Sequence, residues 1–134
     1  MASESRHIAV HVDRSVAEVY AYASDPSHLP FWAPGLCTSI APVGDHWVAE
    51  SGMGSIIVRY AGPNPYGVID HDVVLETGET FHNPVRVLPH DDGAAVVFTL
   101  RRQGGMSDAD FDRDSAAVLA DLELLKDLLE TATS

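Results

Sequence analysis

The chain contains 134 residues, of which 46% are hydrophobic, and it carries a formal net charge of −12 at pH 7. This length fits one domain, and no apolar run approaches the ~20 residues that a membrane-spanning helix needs. The acidity argues against binding to nucleic acid or to anionic lipid surfaces, which attract proteins rich in Lys and Arg.

Cysteine usage indicates the cellular compartment of the protein, and the ratio of Arg to Lys indicates the type of genome that encodes it. Cys37 is the only cysteine, so an intrachain disulfide is impossible and a reducing compartment is expected. The first ten residues contain neither a signal-peptide hydrophobic region nor a glycine at position 2. We therefore expect a cytoplasmic protein without membrane insertion. The preference for Arg over Lys, with many Ala, Val and Asp, is typical of a GC-rich bacterial genome.

The N-terminal third predicts one strand and two short helices. Residues His7 to Val12 alternate between apolar and polar, as in a half-buried strand. Ser15 and Glu18 have the spacing of a capping box that opens a short helix. Ser24-Asp25-Pro26 is typical of the start of a second helix, which Pro34-Gly35 ends.

From residue 36 onward, strand-sized runs alternate with short turns that are rich in Gly, Pro, Asn and Asp, which predicts consecutive antiparallel hairpins. The predicted strands are 36–42, 46–50, 54–61, 67–76, 80–88 and 94–102. On the 54–61 strand, either Ile56, Val58 and Tyr60 face inward, or Ile57 and Arg59 do. We favour the first arrangement, because a buried Arg59 would require a paired carboxylate.

The longest periodic segment is Ser107 to Glu130, which predicts an α-helix. Its apolar face comprises Phe111, Ser115, Val118, Leu122, Leu125 and Leu129. Ser107 is a suitable N-cap, and Asp110 stands where a capping box has its reciprocal carboxylate. A helix of this length spans roughly 35 Å. It alone is long enough to cover the apolar face of the sheet, so an α+β domain is predicted.

The order of one strand, two short helices, six strands and a long helix resembles the helix-grip fold of the START and birch-pollen-allergen superfamily (SRPBCC). Motifs along nearly the whole chain are similar to those of its bacterial polyketide cyclase/dehydrase and lipid-transport branch. They are Val12-Asp13-Arg14-Ser15-Val16, Val19-Tyr20, Ser24-Asp25-Pro26, Leu29-Pro30-Phe31-Trp32, Phe98-Thr99-Leu100, Gly105-Met106-Ser107 and Asp121-Leu122-Glu123-Leu124-Leu125-Lys126. The resemblance implies one domain over residues 1–134, in which a curved antiparallel sheet of about seven strands wraps round the C-terminal helix. It implies no single activity, because the superfamily includes apolar-ligand carriers, aromatase/cyclases, hormone receptors and cochaperones.

The resemblance also implies a cavity between the sheet and the long helix. Strand alternation places His71 on the inner face of its strand and Asp70 and Asp72 on the opposite face. The residues predicted to line the cavity are Trp32, Tyr60, Ile69, His71, Phe81, Asn83, Phe98, Phe111, Ser115 and Val118. Within the long helix, we expect Leu122, Leu125 and Leu129 to anchor the core, and Phe111, Ser115 and Val118 to line the cavity.

His71 and Asn83 are the candidate catalytic residues. A histidine suits proton transfer near neutral pH, but the alternative is a core histidine whose ring is satisfied by a neighbour. Asn83 precedes Pro84, which favours an extended conformation, so a structural role is also possible for it. No metal site or cofactor is predicted, since His7 and His11 would lie ~13 Å apart on a strand.

Three functions are compatible with this pattern. The first is binding of a small hydrophobic molecule, which could be lipid-, aromatic- or polyketide-like. The second is a polyketide cyclase/dehydratase of the aromatase type, in which His71 moves a proton and Asn83 or Tyr60 holds an enolate oxygen. The third is a non-catalytic interaction module that uses a second apolar stripe of the long helix, formed by Ala117, Leu124 and Leu128. The chain is expected to be a monomer or a homodimer.

Overall fold

The computed structural model describes residues 4–131. The described chain begins with strand β1 (Ser5–Val12), followed by helices α1 (Val16–Ala23) and α2 (Leu29–Trp32), with a 3-10 turn at Pro26–His28 between them. The strands that follow are β2 (Ser39–Val43), β3 (His46–Ser51), β4 (Gly54–Tyr60), β5 (His71–Val74), β6 (Thr80–Asn83), β7 (Val85–His90) and β8 (Gly93–Arg101). The long helix α3 (Asp108–Thr131) comes last.

All strand pairs within the described range are antiparallel, and they form two sheets. The first sheet has the order β1-β8-β7, and the second has the order β2-β3-β4-β5-β6. A short junction joins them, in which Val68 pairs with Arg86 and the backbone N–H of Ile69 donates to the carbonyl of Val85 at 2.8 Å. The two sheets together provide the curved surface that the long helix requires, so the chain has the predicted α+β helix-grip architecture.

Pro84 accounts for the main difference from the predicted strands. The predicted strand 80–88 is divided at this residue into β6, which stays in the second sheet, and β7, which belongs to the first. Proline has no N–H to donate to a ladder, so a strand tends to end or bend there. Residues 4–131 consequently contain eight strands rather than about seven.

The predicted strand 67–76 is also shorter than expected, because its first residues join the other sheet. Asp70 lies at this bend, just before β5. Its carboxylate accepts hydrogen bonds from the backbone N–H of Val85 at 2.9 Å and from the guanidinium of Arg86 at 2.8 Å. The Arg86 guanidinium is the main reason that the pKa of Asp70 is lowered. This ion pair ties the two sheets together at their junction.

The predicted caps of the first two helical segments are present. The hydroxyl of Ser15 accepts the backbone N–H of Glu18 at 3.1 Å, and the capping box is complete. Asp25 caps the next segment by accepting the N–H of Ser27 at 3.0 Å. That segment starts as a 3-10 turn and becomes α-helical only at Leu29.

The orientation of β4 is the one favoured from the sequence. Ile56 and Val58 are buried and Tyr60 packs against the core, whereas Arg59 is exposed. The choice was correct because an inward Arg59 would have needed a charged partner inside the core.

Helix α3 packs along β1 and contributes Leu122, Leu125 and Leu129 to the core. The hydroxyl of Ser107 accepts the N–H of Asp110 at 3.1 Å, which confirms the predicted N-cap. Phe111, Leu122, Leu125 and Leu129 are buried, as their spacing predicted. Within residues 4–131, no helix is both long enough and apolar enough to cross a membrane.

Candidate functional site

A cavity of about 280 Å³ lies between α2, α3 and strands β5, β6 and β8. Its place is the one expected for this fold, between the sheet and the long helix. Its volume is near the lower end of the roughly 300–1,000 Å³ that is usual for ligand pockets. Exposed residues of three different loops, Gly35, Met53 and Gln103, belong to its wall. The cavity therefore opens to solvent and suits a compact ligand.

Most of the cavity wall is apolar. The sheet and the short helix contribute Val73, Phe81, Phe98, Leu100, Leu29, Trp32, Ala33 and Leu36, and α3 contributes Val118 and Leu122. Six of the residues predicted from the sequence line it, namely Trp32, His71, Phe81, Asn83, Phe98 and Val118. Aliphatic and aromatic walls with a few polar groups are the usual construction of small-molecule sites.

His71 is the buried polar residue of the sheet wall, with 5% of its surface exposed. Its Nδ1 lies 3.2 Å from the carbonyl oxygen of Ile69. A carbonyl can only accept, so Nδ1 carries the proton and Nε2 keeps a free electron pair. Burial lowers the pKa of His71, so the imidazole is neutral near pH 7. The ring is thus a hydrogen-bond acceptor at the cavity wall.

Asn83 faces His71 from the neighbouring strand, because the two residues are paired in the β5–β6 register. The Nδ2 amide of Asn83 lies 3.4 Å from Nε2 of His71, where it can donate a long hydrogen bond. A ligand or an enolate oxygen placed here would meet one donor group and one acceptor group. The pair is therefore able both to anchor a polar group and to move a proton.

Two other polar atoms near the cavity have no hydrogen-bond partner among the described residues, namely Nε1 of Trp32 and the hydroxyl of Tyr60. Trp32 is on the cavity wall. Tyr60 lies behind it, with its ring 5.2 Å from that of His71, and burial raises the pKa of its hydroxyl. Unsatisfied buried donors are uncommon in folded proteins and mark places that a ligand or water would occupy.

Helix α3 brings to the cavity two carboxylates that were not predicted from the sequence. Asp114 and Asp121 line it together with Val118, with which they share one side of the helix. Burial raises the pKa of Asp121 to about 6. Their spacing from Val118, at i−4 and i+3, could have placed them on the same side of the helix. Acidic residues beside an apolar stripe are normally solvated, so this spacing alone did not indicate a cavity.

Four of the predicted cavity residues lie elsewhere. Ile69 is buried in the main core, and Tyr60 packs against that core with its ring 5.2 Å from that of His71. Phe111 is fully buried near the start of α3, where the Arg6 guanidinium lies 4.2 Å from the centre of its ring. The Ser115 hydroxyl donates to the carbonyl of Phe111 at 2.8 Å and accepts from Arg6 at 2.9 Å. The cavity lies nearer the middle of α3 than the sequence suggested.

The second apolar stripe of α3 does not form a separate face. Ala117 lines the cavity, and Leu128 packs against the main core. Leu124 is only partly buried. Because Ala117 belongs to the cavity wall and Leu128 to the core, the three residues do not form one exposed surface. An interaction surface built on them is therefore not favoured.

The Asp-His-Asp sequence at 70–72 does not form a metal site. Asp70 binds Arg86, Asp72 accepts a hydrogen bond from the imidazole of His82 at 2.6 Å, and His71 points to the other face. Over residues 4–131, no three His, Cys, Asp or Glu side chains are grouped so that they could hold a metal ion.

No protein-family model matches this sequence, and no curated protein matches it. Solved structures, in contrast, share its fold. An uncharacterised protein from Bacillus thuringiensis superposes with a TM-score of 0.75 at 14% identity, over 94% of this chain and 98% of that one. The Aha1 dimer from Colwellia psychrerythraea gives a TM-score of 0.75 at 14% identity, over 98% and 99% of the two chains.

Two further solved structures share the fold. Ara h 8.0201 superposes with a TM-score of 0.69 at 11% identity, over 96% of this chain and 99% of that one. DynU16, a protein of the dynemicin biosynthetic locus, gives a TM-score of 0.72 at 16% identity. The matched region covers 95% of this chain but only 47% of DynU16. Identities this low show a shared fold and not a shared function.

The element order, the curved sheet and these similarities define the class: the chain has an α+β helix-grip fold of the birch-pollen-allergen type. Within that class, this chain has a compact cavity whose sheet wall carries a neutral histidine and whose helix wall carries two carboxylates.

Proposed function

We propose that this protein binds a small, mostly apolar molecule in the cavity between α3 and the sheet. The observation that carries the proposal is the cavity itself, which has a volume of about 280 Å³ and a largely aliphatic and aromatic wall. The few polar groups on the wall would orient the ligand, as in most small-molecule sites. Because the volume is modest, a compact aromatic or polyketide-like molecule is favoured over a long-chain lipid.

The motif resemblance to the bacterial polyketide cyclase/dehydrase and lipid-transport branch supports the same class of ligand. The likeness of fold to DynU16, from the dynemicin biosynthetic locus, adds support for a role in handling such molecules. The single buried cysteine, Cys37, suits a cytoplasmic protein.

A thermal-shift screen with lipids, aromatic compounds and polyketide-like compounds tests the proposal. A ligand present at about 100 times its Kd should add roughly 2.7 kcal/mol to the free energy of unfolding. Native mass spectrometry of the freshly purified protein provides a second readout, since a retained ligand would add a defined mass. If no compound shifts the melting temperature and nothing co-purifies, the proposal fails.

A second candidate is a cyclase or dehydratase activity, and the His71–Asn83 pair favours it. Once the long Asn83 contact gives way to a substrate, the unprotonated Nε2 of the neutral imidazole can take a proton from an activated carbon, and the Asn83 amide can donate to the enolate oxygen that forms. Closure of a bound poly-β-ketone chain would then proceed by aldol addition and loss of water. Cyclase assays of His71→Ala and Asn83→Ala are decisive, since unchanged turnover in both variants would remove these residues from the mechanism.

Homodimer formation is a further possibility, suggested by the likeness of fold to the Aha1 dimer. Light scattering across a concentration series distinguishes a monomer from a dimer. A constant monomer mass at high concentration would exclude the dimer.

A further inference from the structure

Asp121 lies on the α3 wall of the cavity, close to the segment that follows α2. Its charge acts on the buried thiol of Cys37. That thiol has its pKa raised to about 11, by burial first and by the Asp121 carboxylate second. Asp121 is therefore half-buried and lies near Cys37.

The carboxylate of Asp121 has no hydrogen bond or ion pair with any residue from 4 to 131. Desolvation raises its pKa to about 6, so at pH 7.5 it is mostly ionised. An ionised group that is partly removed from water and left unpaired carries a free-energy cost. A bound cation with N–H donors would offset that cost.

The other groups of the cavity also suit a cation. Trp32, Phe81 and Phe98 line the same cavity, and the faces of aromatic rings attract ammonium groups. Nε2 of His71, which Asn83 contacts at 3.4 Å, is an acceptor and not a donor. The net charge of −12 adds a favourable long-range field for an approaching cation.

Trp32 gives an independent reason to expect a ligand here. The side chain is buried, with 5% of its surface exposed, and its indole N–H has no acceptor within residues 4–131. Burying a donor without a partner is unfavourable. An ammonium group cannot accept this hydrogen bond, but the aromatic face of a ligand in the cavity can receive it as an N–H···π contact.

An anion is the competing possibility, because Arg101 also lines the cavity. The Arg101 side chain is exposed and makes no ion pair with any described residue. A solvated surface cation contributes little to pairing, and Asp114 and Asp121 would repel a carboxylate that went deeper. The balance of charges inside the cavity thus favours a cationic ligand.

We propose that the cavity binds an amine whose ammonium group contacts the Asp121 carboxylate and whose compact aromatic body packs among Trp32, Phe81 and Phe98. This inference rests on the proposed ligand-binding function and names its ligand class. Aliphatic amines are protonated at neutral pH, as the pKa of about 10.4 for lysine illustrates. The contact is therefore a charge-assisted hydrogen bond at pH 7.5.

Isothermal titration calorimetry at pH 7.5 with three naphthalene probes tests the inference. The probes are 2-(1-naphthyl)ethylamine, the neutral 2-(1-naphthyl)ethanol and the anionic 1-naphthylacetate. They share one aromatic body, so differences in affinity report the charged group. We expect the amine to bind about tenfold more tightly than the alcohol, the ratio that corresponds to about 1.4 kcal/mol.

The variant Asp121→Asn keeps the size of the side chain and removes its charge, and in it the preference for the amine should disappear. Asp127→Asn is the matched control, since Asp127 is an exposed aspartate of the same helix outside the cavity, and it should keep the preference. Equal binding of amine and alcohol, or a preference that survives Asp121→Asn, would overturn the inference but leave ligand binding intact. Tighter binding of 1-naphthylacetate would overturn it in favour of Arg101. Failure of all three probes to bind would overturn the inference, while the thermal-shift screen and native mass spectrometry decide separately whether the cavity binds another ligand.

Discussion

His71 and Asn83 face each other across the β5–β6 pair, with Nε2 of the histidine 3.4 Å from Nδ2 of the asparagine. Because Nδ1 of His71 donates to the carbonyl of Ile69, the tautomer is fixed and Nε2 must be the accepting atom. Two residues that the sequence pattern selected as polar exceptions on an apolar wall thus form one unit. The unit has a defined protonation state and lies on the cavity.

The protonation state of His71 can be measured directly. Nitrogen-15 NMR of the imidazole should show His71 neutral, with the proton on Nδ1, at pH 6.5. Burial lowers the pKa of His71 in the folded state, so the unfolded chain binds the proton more readily. His71 should therefore reduce stability as the pH falls below about 6.5. A doubly protonated ring at pH 6.5 would contradict this assignment.

Asp121 should have the opposite effect of pH on stability. Its pKa is raised from 3.8 to about 6 in the folded state, so the folded chain binds the proton more tightly between those values. Its contribution is favourable at low pH and is lost as the pH rises through this window. Asp121→Asn should raise the free energy of unfolding at pH 7.5 by about 1 kcal/mol, a figure reduced for the solvent access of this half-buried group.

Urea unfolding of the wild type and Asp121→Asn at pH 4.5 and pH 7.5 measures this effect. The other titratable groups that line the cavity, His71, His82, Arg101 and Asp114, are common to both proteins, so their own contributions cancel in the difference. The advantage of the variant should shrink or vanish at the lower pH. A constant difference between the proteins would show that Asp121 has an ordinary pKa.

Gly67 should tolerate no side chain. It has a φ of +73°, and a Cβ at this position would collide with the backbone carbonyl of Val87. Both effects arise where the two sheets join, so Gly67→Ala should lower the free energy of unfolding by about 1–3 kcal/mol. Gly62→Ala is the control because a Cβ there meets no atom within 4 Å. Equal stabilities of the two variants would contradict the described junction.

The roles of Phe111 and Leu122 differ from those expected from the sequence. Phe111 is fully buried beneath Arg6 and away from the cavity, whereas Leu122 is buried and also lines it. Truncation to alanine should cost about 3–5 kcal/mol for Phe111 and about 2–5 kcal/mol for Leu122. Only Leu122→Ala should alter the affinity for a cavity ligand, as measured by fluorescence titration. A changed ligand affinity in a folded Phe111→Ala protein would show that Phe111 does line the cavity, and would contradict this assignment.

Much of the fold could be predicted because local signals agree with the final structure. The Ser15–Glu18 capping box, the Ser107 N-cap and the inward face of β4 depend on neighbouring residues or on simple alternation. The division of the predicted strand at Pro84 depends on which sheet each half joins, and a single sequence does not contain that long-range information.

The site was harder to predict for a related physical reason. The apolar residues of α3 indicate which face meets the core, but they do not indicate where along the helix the packing is incomplete. Asp114 and Asp121 lie on the flank of that face and line the cavity because the gap between α3, α2 and the sheet falls beside them. Phe111, with good helical spacing, is covered by two arginines, and no periodicity in the sequence predicts that contact.

Ligand binding in the cavity beside α3 is tested most directly by a variant that fills the cavity with a large side chain. Val118 lines the cavity and its neighbour Leu119 is exposed on the outer side of the helix. We predict that the fluorescent probe N-phenyl-1-naphthylamine binds the wild type and Leu119→Trp with the same Kd. Binding to Val118→Trp should be at least about tenfold weaker, with circular dichroism showing that all three proteins are folded. Equal binding to folded Val118→Trp would show that the probe binds outside the cavity and would contradict the account.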